Sequence, residues 1–141
     1  MSDEKLRELQ RAAATDESLL IPYAEALARA GRSAEARATL APRLTDPTKL
    51  GALARRRALA LAAGANDTDG ATAVALKAAE ADGAVELVVL IRETPTVFMA
   101  ARVVLVRALR AKDKHAANRL ARELPGDPLA AILFAEGEIV M

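Results

Sequence analysis

Between Tyr23 and Pro47 the sequence YAEALARAGRSAEARATLAPRLTDP sets small and apolar residues at helical spacing on both sides of one glycine. Leu20, Tyr23, Ala24 and Leu27 follow the i, i+3, i+4, i+7 order of a helix that buries one face. Gly31 follows the last periodic residue, where helices commonly end with a positive φ that glycine adopts at little cost. Beyond it, Ser33 is placed to cap a second helix by accepting from a free backbone N–H, and Ala36, Leu40 and Leu44 form that helix's buried stripe. Asp46-Pro47 closes the unit as an acidic cap before a proline at the first helical position, where its missing N–H costs nothing. Small side chains at Ala24 and Ala36 let the two helices approach closely. The stretch predicts a helical hairpin.

The rest of the chain reads as looser variations on it. Alanine fills 35 of the 141 positions, while the aromatics are only Tyr23, Phe98 and Phe134. That composition suits close-packed helices, since alanine has the highest helix propensity. The length predicts one domain over 1–141, with sub-units 1–47, 48–83 and 84–141. A net charge of +1 provides no global field to attract nucleic acid or an anionic membrane. Cysteine is absent, which excludes disulfides and thiol chemistry and, with no leader pattern, makes the cytoplasm the expected compartment. No uncharged apolar run approaches the roughly 18–20 residues that span a bilayer.

Ser2–Ala14 reads as a short helix with a serine cap and acidic Asp3-Glu4 near its positive terminus. Thr15-Asp16 opens the next helix, in whose early part Pro22 sits. A third long helix runs from Pro47 to about Ala63, with Leu50, Leu53, Ala54, Ala58 and Leu61 as its buried face and Gly64 as its end. The turn-rich 65–70 loop is the best candidate for local mobility, and a fourth helix runs to Ala81. The segment AVELVVLI (84–91) has the β-branched content of a strand but no partner strand anywhere, and is read as a short buried helix. Thr94-Pro95 caps a long helix ending near Ala111, with Val97, Ala101, Val104 and Ala108 on its core face; further helices follow from Asp113 and from Leu129. Ala101, Val104, Leu105, Ala108, Ala117, Ala121 and Pro128 reproduce the first hairpin's register at a constant offset, with large and small positions partly swapped.

Catalytic signatures are missing. The single His115 lies beside a helix start with no partner for proton transfer, so it reads as a solvated surface residue. Asn66, Asp67 and Asp69 lack the twelve-residue pattern and closing glutamate of a calcium loop, and the scattered glycines form no phosphate cradle. No cofactor or metal is expected. Arg55-Arg56-Arg57 is the sharpest charge cluster, fanning over about 200° of a helix. It reads as a solvated face with ion pairs or as a contact for an anion or an acidic peptide. A second basic set, Arg107, Arg110, Lys112, Lys114, Arg119 and Arg122, surrounds the Lys112-Asp113 turn. Without interleaved aromatic platforms, neither set argues for nucleic acid.

The segment 96–106 (TVFMAARVVLV) is apolar on nearly every side, with Arg102 its only charge, and the chain ends on IleValMet. Phe98, Val103 and Val106 lie off the assigned core stripe and make a second apolar face, coverable by Leu129, Leu133 and Val140 or by another chain.

Large-x-x-large-small-x-x-large, then small-x-x-x-large, then proline, is met by Leu20, Tyr23, Ala24, Leu27, Ala36, Leu40 and Pro47, and in that spacing the chain resembles a tetratricopeptide repeat. The resemblance implies helical pairs in a short right-handed array that binds a protein or peptide on its inner helices. The family's clamp for a C-terminal carboxylate uses lysine and asparagine on inner faces; the matching positions near Ile21 and Glu25 are not of that kind. The expected fold is all-α, about seven helices in antiparallel hairpins, as such an array or as an irregular bundle. The expected function is a non-enzymatic adaptor or scaffold for a protein or peptide partner, with Arg55, Arg56, Arg57, Phe98, Val103, Val106 and Phe134 as partner-binding residues. The alternative is a structural subunit whose apolar helices 96–106 and 129–141 build a homo-oligomer.

Overall fold

The structure is a computed structural model that describes residues 2–124 together with Asp127 and Pro128. Among these residues every regular element is helical: α1 (Asp3–Thr15), α2 (Leu20–Arg29), α3 (Ser33–Leu40), α4 (Lys49–Gly64), α5 (Thr68–Ala81), α6 (Ala84–Glu93), α7 (Met99–Lys112) and α8 (Lys114–Glu123). Segment 84–91 is thus helix, as read. Its β-branched propensity yields to burial of Leu87, Leu90 and Ile91, which share one face of α6.

Several ends are built differently from the sequence reading. Ser33 makes no cap bond and is the first residue of α3; the preceding Arg32 occupies the cap position and pairs with Glu35 instead. Pro47 stands outside α4, whose cap is Thr48, its hydroxyl accepting from Gly51 N at 3.4 Å while Asp46 Oδ1 accepts from Thr48 N at 2.8 Å. Gly31 does take φ +79°, but at the end of α4 the left-handed residue is Asn66, at φ 56°, and Gly64 is still helical. Thr94 does not cap α7: its hydroxyl donates to Leu90 O at 2.7 Å and closes α6, and α7 starts only at Met99 after a turn in which Phe98 N donates to Pro95 O.

Alanine determines how closely the helices pack. Ala24, Ala36, Ala54, Ala62, Ala71, Ala75 and Ala78 are fully buried, so backbones meet with little side chain between them. Helix α2 lies on α3, α4 on α5 and α6 on α7, and α5 also packs along α7. In addition α2 touches α4, α4 touches α6 and α6 touches α8, so the even-numbered helices form one continuous layer. The offset register is matched in burial at Ala24 and Leu105, Ala36 and Ala117, and Leu40 and Ala121.

Two helices are rotated from their expected faces. Helix α4 buries Gly51, Ala54, Arg55, Ala58, Leu59 and Ala62, leaving Leu53 exposed. The α3–α4 loop passes close against this inward face: a Cβ on Gly51 would lie 1.9 Å from Asp46 O. Helix α7 buries Ala101, Arg102, Leu105, Val106 and Leu109, whereas Val97 is 77% exposed. Here the inward side chain is Arg102, held by Asp127 through two bonds of 2.6 and 2.9 Å.

Candidate functional site: a groove across the even-numbered helices

The three consecutive arginines of α4 point in three directions and each finds a different element. Arg55 is wholly buried. Its Nε and one terminal nitrogen donate to Asp82 Oδ1 at 3.0 and 2.6 Å, and the other donates to the carbonyls of Leu44 and Asp46 at 3.2 and 2.6 Å. Lys112 on α7 then donates to Ala79 O at 2.7 Å and to Asp82 O, covering the carbonyl end of α5. Arg56 reaches the other way and holds Glu93 of α6 in a two-bond fork, Nε to Oε1 at 2.7 Å. Arg57 donates to Glu25 of α2 at 2.9 Å. The fork from Arg56 holds the Glu93 carboxyl below its ordinary range and raises the guanidinium in turn.

Beside Arg56 and Arg57 the even layer is concave. A groove of about 500 Å³ is lined by Ile21 and Glu25 of α2, Leu53, Arg56, Arg57 and Ala60 of α4, and Glu93. A narrower cleft of about 150 Å³ continues it between α4 and α6, with Ala52, Leu53, Val85, Val89 and Leu90 as its apolar wall. Leu53 belongs to both and is 41% exposed, and Val85 at the cleft's end is 76% exposed. Large side chains left in water at adjoining positions on neighbouring helices mark a contact surface more strongly than single exposed leucines do. A larger concavity of about 620 Å³ lies between α1, α2 and α3, but it is polar, and its leucine, Leu6, is buried in the core.

The sequence-derived candidates divide accordingly. Arg56 and Arg57 line the groove. Arg55, Phe98 and Val106 are buried, Arg55 among partners within the chain and Phe98 and Val106 in the apolar core. Val103 is half-buried, and Phe134 lies outside the described residues. The carboxylates Glu25 and Glu93 and the apolar Val85 and Val89 carry no signal in the sequence that marks a partner surface, and the periodicity of α4 places Leu53 in the core.

Of the remaining polar features, Asp67 caps α5 by accepting from Gly70 N at 2.9 Å and pairs with Arg37, and both contacts keep its carboxyl below the ordinary value. Asp113 caps α8, accepting from Ala116 N at 3.0 Å, and His115 is exposed on that helix's first turn. Among the described residues no cluster of His, Cys, Asp and Glu could hold a metal ion, and no helix is long and apolar enough to cross a membrane. No family model, curated protein or solved structure matches the sequence.

Proposed function

We propose that this chain is a non-enzymatic adaptor that docks a segment of a partner protein in the groove formed by α2, α4 and α6. The observation that carries the reading is Leu53, a large apolar side chain exposed at the junction of two adjoining concavities. Arg56 and Arg57 flank it, and each keeps N–H donors beyond those given to Glu93 and Glu25. The proposal includes a tetratricopeptide-like array in which the even-numbered helices form the inner, partner-facing layer, and a cytoplasmic setting. A photo-crosslinking residue at position 53 tests it in extract of the source cells: a discrete adduct should form there and not from position 77 on α5. Equal labelling from both positions, or none at 53, would remove the groove as a docking site.

A second reading rests on α7. Val97 and Met99 stand exposed where that helix begins, which favours a homo-oligomer built on segment 96–106. Light scattering separates the two, since the adaptor is a monomer on its own and the structural subunit is a defined oligomer.

A further inference from the structure

We infer that the occupant of this groove is an amphipathic α-helix with an acidic flank and a basic flank, an inference that rests on the docking reading above. The first reason is what the walls lack. Every side chain lining the groove and its α4–α6 cleft is either apolar or charged; no serine, threonine, asparagine, glutamine, tyrosine or histidine is among them. Along the cleft wall of Ala52, Leu53, Val85, Val89 and Leu90 no side chain can hydrogen-bond, so an extended peptide lying there would lose water from backbone N–H and C=O groups with nothing to replace it. A helix arrives with those groups already bonded to one another and presents only side chains.

The second reason is the distribution of charge. Lys49 stands on the α4 bank of the cleft and Glu86 on the α6 bank, both exposed. Among the described residues neither side chain makes a hydrogen bond or an ion pair, whereas Arg56 and Arg57 are already paired with carboxylates. One bank therefore offers an unengaged cation and the other an unengaged anion, with Leu53, Val85 and Val89 between them. The matching surface is an apolar stripe at i, i+3, i+4 and i+7, with Asp or Glu on the side toward α4 and Lys or Arg on the side toward α6. Helix α6, which forms one bank of the cleft, is ten residues long, so about three turns of partner helix, roughly 15 Å, suffice to cover it.

The test is selection of a displayed random peptide library, roughly 15 residues long so that a helix can cover the cleft, on the full chain. Enriched peptides should carry the apolar helical stripe with opposite charges on its two flanks and no internal proline or glycine. Val89→Glu should weaken them about tenfold or more, as expected for a central contact. Glu86→Lys, an exposed change that leaves the fold intact, should shift the preferred residue on the α6 flank from basic to acidic. Groove-dependent peptides rich in proline or glycine would overturn the helix and leave the docking reading standing. Flank preferences unmoved by Glu86→Lys would overturn the charge assignment. No enrichment, or peptides indifferent to both Leu53→Asp and Val89→Glu, would overturn the inference and the docking reading together.

Discussion

At the scale of single residues the decisive choice is which of three adjacent arginines goes inside. Arg55 does, because the Leu44 and Asp46 carbonyls and the Asp82 carboxylate converge on one point of α4. A buried guanidinium is tolerable only while its partners remain. Asp82→Ala should therefore destabilise the protein by about 3–5 kcal/mol, the cost of leaving that charge uncompensated. Asp82 Oδ2 has no hydrogen-bond partner among the described residues, so the pair is incompletely satisfied. Replacing both members, Arg55→Met with Asp82→Leu, should then recover most of the loss. Urea denaturation of the two variants decides: a double variant no more stable than Asp82→Ala would contradict this account. None of this was legible in the sequence, where Arg55, Arg56 and Arg57 are equivalent and Asp82 lies 27 residues away.

At the scale of elements, existence was far more legible than orientation. Periodicity and the turn residues located the helices, including α6, because those signals are local. Rotation about the helix axis is set by what packs alongside, and for α4 and α7 it differs from the face that periodicity names. In α7 valine, alanine and leucine occupy most of the circumference, so hydrophobicity alone names no inward face. The one informative residue was the charged Arg102, and it points inward to Asp127, against the usual rule for charge. The groove is hidden for the same reason, since periodicity places Leu53 in the core whereas α4 turns it out. The observed rotation has a direct test. Val106→Glu should prevent folding, because it buries an unpaired carboxylate. Val97→Glu should leave stability within about 0.5 kcal/mol, as at other exposed sites. Circular dichroism melts showing the reverse order would restore the stripe through Val97 and Val104.

At the scale of the whole molecule, each step along the even-numbered layer carries one arginine–glutamate pair: Arg57 with Glu25 joins α4 to α2, Arg56 with Glu93 joins α4 to α6, and Arg92 with Glu123 joins α6 to α8. All three are partly exposed, so each is weak alone and screened by salt, and together they bias neighbouring helices toward one register. The pH dependence follows from carboxyls held below their ordinary values of 4.5 for Glu and 3.8 for Asp: Glu93 by Arg56, Asp67 by Gly70 N–H with Arg37, Asp46 by Thr48 and Asp16 by Ser18. A depressed carboxylate binds protons more readily in the unfolded chain, so its stabilisation is fully present above the ordinary value. That stabilisation disappears as pH falls through the lower, folded value. Urea midpoints should accordingly stay level from neutrality down to about pH 5 and then decline with further acidification. Glu93→Gln should make the decline shallower, since one of the groups responsible no longer titrates. A midpoint that rose on acidification, or a slope identical in Glu93→Gln, would mean that the α4–α6 ion pair contributes nothing to holding the layer together.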